Sequence, residues 1–406
     1  MDALTTPSNW QRVRLGDVAE IIGGGTPSTQ VTSFWNGSIN WFTPTEIGIT
    51  KYVHKSQRTI TPLGLKKSSA KLLPIGTILL TSRASIGDCA ILKVVATTNQ
   101  GFQSLIPLEK INNEFLYYLM LTLKNKLLKL ASGSTFLEVS PNKIKNLLIP
   151  LPPLNEQIAI ANILSDVDRY LYSLDALILK KESVKKALSF ELLSQRKRLK
   201  GFNQNWQRVR LGDIGITISG LAGKTKQDFI NGNAKYITFL NVLNNVIIDT
   251  SILENVKIYP NEKQNSFKKY DLFFNTSSET PKEVGMCAVL LDDIDQVFLN
   301  SFCFGFRIFD KAVDSLFLSY LINSEIGRKA FENLAQGSTR YNLSKSGFNN
   351  VCLFLPPLNE QSAIANILSD LDNEIISLKN KKRQFENIKK ALNHDLMSAK
   401  IRVLKK

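Results

Sequence analysis

The sequence predicts an α+β protein with two globular domains and two long helices, built as an internal repeat. Two segments of the chain recur almost unchanged. Leu151–Asp168 returns as Leu355–Asp372 with two differences in eighteen positions, and Trp10–Asp17 returns letter for letter as Trp206–Asp213. The stretches between these repeats have diverged. One conserved frame therefore holds two unlike inserts, which suits a protein that recognises two different targets with one architecture.

The repeats divide the chain into four segments. Residues 1–150 and 201–354 are expected to form the globular domains, and 151–200 and 355–406 the helical spacers. In both inserts, β-rich runs lie between Gly, Asn, Asp and Pro turn signals. These runs predict strands at Thr77–Leu80, Ala90–Val95, Tyr236–Leu240 and Val297–Phe309. Phe115–Leu119 and Phe317–Leu321 are equivalent short helical patterns.

Both helical segments begin with Pro-Pro followed by Leu-Asn-Glu-Gln. Asn155 and Asn359 are predicted helix N-caps, and the first helix is expected to run to Lys200, a length of roughly 65 Å. Apolar residues then recur at steps of three and four, which is coiled-coil spacing. The residues expected to pack between the helices are Leu164, Val167, Leu171, Leu174, Ile178, Leu368, Leu371, Ile375, Leu378 and Phe385. The spacing predicts an antiparallel coiled-coil pair with a pseudo-two-fold relation between the repeats; the alternative is that each helix folds back on its own domain.

Charge points to a polyanionic partner. The chain has a net charge of +16, and its sequence pI is near 9.5. The charge is uneven, because residues 1–154 hold 16 basic and 8 acidic residues whereas 201–358 hold 16 and 15. The first insert is therefore expected to supply more of the salt-dependent affinity for phosphates. Apolar runs are too short for a membrane-spanning helix, and a cytoplasmic location is expected.

The residues give little support to a self-contained enzyme. The only histidines are His54 and His394, and the four cysteines include no C-x-x-C pair, so neither a catalytic triad nor a zinc site is indicated. Gly220–Thr225 imitates a phosphate-binding loop but has Ile218 where that motif needs glycine. Asp292, Asp293 and Asp295 are better explained as a solvated turn than as a metal site. We therefore expect no catalytic residue, metal or cofactor in this chain.

DNA recognition needs guanidinium, amide and hydroxyl groups on loops, with lysines for phosphates. Such groups occur in polar stretches of both inserts. The candidates in the first insert are Lys51, His54, Lys55, Arg58, Ser82 and Arg83. The candidates in the second insert are Lys224, Lys226, Asn275, Ser277, Arg340 and Tyr341. For each single residue, an ordinary surface loop is an equally good explanation.

These features together resemble the specificity subunit of Type I restriction-modification systems. The resemblance covers essentially the whole chain and rests on the Trp-x-x-x-x-Leu-Gly-Asp segments, the glycine-rich Gly23–Ser28 and Gly220–Lys224, and the Leu-Pro-Pro-Leu-x-Glu-Gln helix starts. It implies two target recognition domains that each read one half of a split, asymmetric DNA sequence. It also implies helices that dock two methyltransferase (modification) subunits, with restriction (motor-nuclease) subunits completing the complex. Adenine methylation and S-adenosylmethionine would come with the modification subunits, so the chain itself would be non-catalytic.

Geometry adds an expectation about spacing. Two domains that read one face of a duplex must be separated by about one helical turn, or roughly 34–36 Å. A paired-helix spacer is suited to fixing that separation. Two other functions stay open at this point: a stand-alone DNA-binding regulatory protein, and a coiled-coil adaptor whose charge meets membranes or RNA.

Overall fold

The chain divides into two compact units in the computed structural model, which describes residues 7–133, 137–332, 334, 337 and 341–403. The first unit comprises Met1–Asp175 with Asn380–Lys406, and the second comprises Ala176–Lys379. Each unit therefore contains one globular domain, part of the helix that follows it, and part of the helix from the other repeat.

The first unit is built on a five-stranded sheet, a three-stranded sheet and a strand pair. Its strands are β1 (Gln11–Arg14), β2 (Ala19–Gly23), β3 (Trp35–Phe42), β4 (Tyr52–Val53), β5 (Arg58–Ile60), β6 (Ile78–Leu80), β7 (Cys89–Leu92), β8 (Ala96–Thr98), β9 (Gln103–Pro107) and β10 (Leu148–Leu151). Its helices are α1 (Pro62–Lys66), α2 (Asn113–Thr122), α3 (Lys124–Leu130), α4 (Pro141–Lys145) and the first part of α5 (Leu154–Leu193). The large sheet has the order β2-β9-β6-β7-β4, the small sheet β5-β3-β8, and β1 pairs with β10.

The second unit repeats this plan with a four-stranded large sheet. Its strands are β11 (Gln207–Arg210), β12 (Gly215–Ser219), β13 (Ala234–Ile237), β14 (Glu254–Val256), β15 (Leu272–Asn275), β16 (Ser277–Ser278), β17 (Cys287–Val289), β18 (Val297–Leu299), β19 (Cys303–Ile308), β20 (Tyr341–Asn342) and β21 (Cys352–Leu355). Its helices are α6 (Leu211–Ile214), α7 (Phe239–Asn244), α8 (Ser315–Asn323), α9 (Glu325–Glu332), α10 (Lys345–Asn349) and the first part of α11 (Leu358–Met397). The orders are β12-β19-β15-β17, β14-β13-β18, β11-β21 and β16-β20.

The strand registers match between the two small sheets. Trp41 of β3 lies opposite Arg58 of β5 and beside Thr97 of β8. Tyr236 of β13 lies opposite Glu254 of β14 and beside Phe298 of β18. In both cases the first pairing is antiparallel and the second parallel. The diverged inserts therefore share one topology, and equivalent positions can be compared residue by residue.

The two conserved segments of each repeat are hydrogen-bonded partners. Strand β1, within the Trp10–Asp17 segment, pairs with β10, which leads into the Leu-Pro-Pro turn. Strand β11 pairs with β21 in the same way, with Gln207 opposite Leu355 where β1 has Gln11 opposite Leu151. Segments more than 130 residues apart in sequence therefore close each domain at one point.

The long helices differ from the predicted bounds at both ends of α5. Pro153 is the cap, because its carbonyl accepts from the backbone N–H of Gln157 at 3.0 Å. Asn155 therefore lies inside the first turn, and Asn359 has the same place in α11. At the other end α5 stops at Leu193 instead of Lys200, and Gln195 takes a left-handed φ of 62°.

The long helices pack against each other antiparallel. In the first unit, Asp168 and Asp175 of α5 pair with Lys389 and Lys382 of α11, at 2.5 and 2.6 Å. In the second unit, the pairs are Lys181 with Glu374, Lys185 with Asp372 and Glu182 with Lys379. Lys181 and Lys382, which interrupt the apolar stripes, thus bridge the helices. None of the described helices is long and apolar enough to cross a membrane.

The predicted packing residues fall into three groups. Leu164 and Leu368 belong to the main cores of their domains. Leu174, Ile178 and Ile375 are also buried. The remaining residues are half-buried, namely Val167, Leu171, Leu371, Leu378 and Phe385. The ring of Phe385 lies 4.6 Å from that of Tyr170.

Two predicted strands are interrupted. The run Tyr236–Leu240 is strand only to Ile237, because Thr238 accepts from the N–H of Asn241 and starts α7. The run Val297–Phe309 is divided into β18 and β19 by a turn in which Asn300 accepts from the N–H of Phe302 at 2.9 Å. Local side-chain hydrogen bonds therefore override strand propensity at both places.

Candidate nucleic-acid interface

The identical Glu-Gln pairs at the helix starts are buried, and they fasten each helix to a domain. Glu156 accepts from the indole N–H of Trp10 at 3.1 Å and from Arg402 at 2.9 Å. Gln157 donates to the carbonyls of Lys110 and Pro152. Because these side chains are turned inward, they are not accessible to another protein.

The second repeat has the same arrangement with one difference. Glu360 accepts two hydrogen bonds from Arg198, at 2.7 and 2.6 Å. Arg198 and Arg402 are separated by the same 204 residues as the Leu-Pro-Pro segments. However, the indole N–H of Trp206 is buried and has no hydrogen-bond partner among the described residues, whereas that of Trp10 bonds to Glu156.

A second repeated contact joins domain, helix and helix. Asp168 accepts from the hydroxyl of Tyr118 at 2.5 Å and pairs with Lys389. Asp372 accepts from Tyr320 at 2.7 Å and pairs with Lys185. These residues carry the frame rather than a ligand site.

Lys51 and Ser82 of the first domain are used internally. Lys51 donates to Tyr118 at 2.8 Å and to Ser165 at 2.9 Å, and forms an ion pair with Glu114. Burial lowers the pKa of its ammonium group. Ser82 is 1% exposed and donates to the carbonyl of Gly101. Neither side chain is available to DNA in this structure.

The other first-domain candidates are exposed. His54, Lys55 and Arg58 lie along the segment that leads into β5. Arg83 is also exposed, and its guanidinium pairs with Glu138 at 3.1 Å. The exposed part of the predicted set is therefore divided between the edge of the small sheet and the loop after β6.

In the second domain, Lys224 and Asn275 are used internally. The side chain of Lys224 is 5% exposed and donates to Glu262 and to the carbonyl of Lys257, both at 2.6 Å. Asn275 is fully buried, donates to the carbonyl of Glu283 and accepts from the N–H of Met286. Neither of these two side chains is available to DNA in this structure.

The remaining second-domain candidates have different surroundings. Lys226 is exposed. Ser277 is 6% exposed, and its strand β16 pairs with β20, which contains Tyr341. Arg340 lies outside the described residues.

The loop after the central large-sheet strand is equivalent in the two domains. The backbone N–H of Val139 donates to the carbonyl of Ser82, and that of Leu343 donates to the carbonyl of Thr276. The Arg83–Glu138 pair of the first domain thus corresponds in position to the Ser277–Asn342 pairing of the second. In each pair, folding brings together two residues that are about 55 to 65 positions apart in sequence, so no local sequence pattern connects them.

The glycine-rich segment after β2 is a packing feature. A Cβ atom on Gly24 would lie 1.9 Å from the carbonyl oxygen of Asn99, and one on Gly25 would lie 2.3 Å from the Ser69 hydroxyl. The carbonyl of Gly25 accepts from the indole N–H of Trp41. The glycines allow this close approach, so a phosphate-binding role is unnecessary. Among the described residues, no group of three His, Cys, Asp or Glu side chains could hold a metal ion.

Sequence reasoning missed Arg198, Arg402 and the Tyr-Asp-Lys contacts. Arg198 and Arg402, like Lys185 and Lys389, recur at the offset of 204 residues. That offset, applied to the whole helical segments instead of to their starts, would have identified them.

Comparison with known proteins agrees with this architecture. The sequence model of the Type I restriction modification DNA specificity domain matches residues 7–181 and again 203–387. The MjaIX specificity subunit of a Type I restriction enzyme from Methanocaldococcus jannaschii is 30% identical over 298 residues, which cover 68% of each chain. The MjaVIII specificity subunit from the same organism is 28% identical, and the alignment covers 99% of this chain and 95% of that one.

Solved structures share the fold. The S subunit of a Type I restriction-modification system from M. genitalium superposes with a TM-score of 0.60 at 17% identity, covering 97% of both chains. The HsdS subunit from Thermoanaerobacter tengcongensis gives a TM-score of 0.53 at 17% identity, covering 99% of this chain and all of that one. With two matches to the family's sequence model and this duplicated fold, the chain belongs to the Type I restriction-modification DNA specificity family.

Proposed function

We propose that this chain reads a two-part, asymmetric DNA sequence, one part with each globular domain, as the non-catalytic specificity subunit of a Type I restriction-modification complex. The observation that carries the proposal is the contrast between a duplicated buried frame and two diverged small sheets, whose edge strands β5 and β14 begin with exposed, unlike side chains. Identical frames hold the domains in equivalent ways, while unlike side chains meet the ligand. A protein that bound one symmetric target would have no use for this divergence.

The helices are proposed to dock two modification subunits. Within the duplicated segment, some identical residues are exposed in both copies and lie within about 120° of the helix circumference. This docking strip consists of Leu154, Asn155, Asn162 and Asp166, and its second copy of Leu358, Asn359, Asn366 and Asp370. Leu154 and Leu358 are 46% and 43% exposed. Two equal strips on one chain suit two copies of one partner.

The helix pair is also proposed to fix the number of unread base pairs between the two parts of the target. S-adenosylmethionine would be held by the modification subunits, which carry out adenine methylation. Restriction subunits would join the same assembly.

Sequencing of methylated bases in a host that expresses the modification subunit, with and without this chain, tests the proposal. The expected result is a split asymmetric motif, methylated on adenine in both halves only when the chain is present. If no motif depends on the chain although the modification subunit is active, the proposal is wrong and a stand-alone DNA-binding protein becomes the better description.

Variants of the docking strip test the partner assignment. Asn162→Arg with Asn366→Arg places a long charged side chain on each strip and is expected to abolish co-purification of the modification subunit. Either single variant should retain one copy. Lys180→Ala, an exposed change on the same helix outside the strip, is the control. Retention of two copies by the double variant would place docking elsewhere.

A further inference from the structure

Arg58 of the first domain is held on a tryptophan. It is the first residue of β5, opposite Trp41 in the small sheet. Its guanidinium carbon lies 3.7 Å from the centre of the Trp35 ring and 5.4 Å from that of Trp41. The two tryptophans pack edge to face with centres 5.0 Å apart. Such stacking is an attractive cation–π interaction and fixes the plane of the guanidinium.

The stack leaves the N–H groups of Arg58 exposed. The side chain is exposed, and no hydrogen bond or ion pair of its guanidinium is found among the described residues. Stacking uses the face of the planar group, whereas its five N–H donors lie on the edge. Arg58 therefore offers oriented N–H donors that have no partner among the described residues of its domain.

The backbone before Arg58 is also fixed. The hydroxyl of Ser56 donates to the carbonyl of Arg58 at 2.5 Å, and the N–H of Ser56 donates to Asn40 at 3.0 Å. The N–H of Gln57 donates to Glu46 at 2.7 Å. A side chain stacked on a ring and carried by a fixed strand loses little conformational entropy when it binds.

The equivalent position of the second domain has the opposite charge. Glu254 begins β14 and lies opposite Tyr236, whose hydroxyl donates to it at 2.9 Å. In each domain an aromatic ring on the middle strand supports a charged side chain on the edge strand. The support is shared, but the hydrogen-bonding character is reversed from donor to acceptor.

The small sheets also lie apart from the frame. The core beneath Arg58 consists of Trp35, Trp41, Ile60 and Ala70, and contains no residue of a long helix. The main core of the same domain includes residues of both long helices. The small-sheet edge is therefore not occupied by the contacts that hold the frame together.

We infer that Arg58 reads a guanine in the part of the target bound by the first domain. The inference rests on the proposed function and makes it more specific. In the major groove, the paired acceptors O6 and N7 of guanine match the guanidinium fork, and an arginine with a fixed plane discriminates better than a mobile one. A phosphate contact would not require the plane to be fixed, and the exposed Lys55 nearby serves that purpose.

The test compares Arg58→Ala and Arg58→Lys with Lys55→Ala, in the full chain with its modification subunit. Methylated-base sequencing gives the motif, and binding to duplexes with each base in turn at the first part of the target gives discrimination. Both Arg58 variants are expected to lose about tenfold to a hundredfold discrimination at one G·C pair, while the second part of the motif is unchanged. Lys55→Ala should weaken binding to all duplexes equally and reduce the salt dependence.

Arg58→Lys keeps the positive charge and an extended aliphatic chain but loses the guanidinium fork, so it separates loss of base reading from loss of folding. An unchanged motif in both variants, or a first half-site without a G·C pair, would overturn the assignment of Arg58 and leave the proposed function intact. A wild-type chain that directs no motif at all would instead overturn the proposed function.

Discussion

The small sheets of the two domains share one topology but carry oppositely charged side chains at their edges. Their small sheets have the same strand order and register, yet one presents Arg58 over tryptophan and the other Glu254 beside tyrosine. Their frames share the arginine on each helix-start glutamate, and differ in that only the first has a tryptophan bonded to that glutamate. Buried contacts therefore fix how each domain is held, while the exposed edge strand is free to change its chemistry.

Reversing the charge of exposed lysines should change DNA affinity far more in the first domain than in the second. Lys55→Glu with Lys66→Glu changes two exposed lysines at the small sheet of the first domain, and Lys226→Glu with Lys235→Glu changes two in the second. If both first-domain lysines contact phosphates, affinity for the target at low salt should fall about a hundredfold. The second pair of substitutions should lower this affinity less than tenfold, because the second domain is almost neutral. Titrations at several salt concentrations measure both the affinity and its salt slope.

The slope provides the control. Each lost phosphate contact lowers the slope of log affinity against log salt by about one. Equal losses of affinity and slope for the two pairs would contradict the assignment of most phosphate contacts to the first domain.

Removal of the frame arginines should distinguish the units by stability. Arg198→Ala leaves Glu360 buried without its charged partner. We expect it to lower the free energy of unfolding of the second unit by about 3 kcal/mol. Arg402→Ala should cost about 1 kcal/mol less, because Glu156 keeps its bond from the Trp10 indole. Amide hydrogen exchange reports each unit separately through the β11–β21 and β1–β10 pairs.

Trp10→Phe is the matched variant for this comparison. Combined with Arg402→Ala, it removes both donors from Glu156, so the cost should approach that of Arg198→Ala. Equal costs for the two single arginine variants would show that the Trp10 bond does not account for a difference between the units.

Thiol reactivity should also differ between the two units. Cys89 and Cys287 occupy equivalent large-sheet positions and are buried; burial raises the pKa of Cys89 to about 12 and also that of Cys287. Cys303 is buried too, whereas Cys352 is partly exposed. A disulfide reagent at pH 8 should therefore modify one thiol per native chain, in the second unit only. Cys352→Ser should abolish this reaction, and rapid modification of a second native thiol would contradict the burial of the strand cysteines.

The sequence repeats predicted the architecture well because they mark buried contacts. Trp10 precedes β1 and the Leu-Pro-Pro segment ends β10; these two strands pair with each other, and Trp10 and Leu151 reach the same core, so both segments recur. Helix pairing followed from apolar spacing for the same reason. What spacing could not give was the end of α5 at Leu193, which depends on a left-handed Gln195.

Site residues were less predictable, because residue type does not reveal whether a polar group is used internally. Lys51 and Lys224 are of a residue type that often contacts phosphates, but they form internal ion pairs with Glu114 and Glu262. Arg58 is also a basic residue in a polar stretch, but its side chain is exposed. Its partner in the stack, Trp35, is 23 residues away in sequence, so only the folded sheet distinguishes it from the lysines.

Each unit includes part of the long helix that belongs to the other repeat, so the two units are completed at different times during translation. The first unit needs Asn380–Lys406, including the arginine that reaches Glu156. At about 5 to 20 residues per second, the intervening residues delay completion of that unit by about 10 to 40 seconds after Asp175 has been made. During this interval Glu156 has no arginine and one side of α5 is uncovered. The domain translated first is therefore completed after the second unit, so a ribosome that stalls in the second insert leaves neither unit complete.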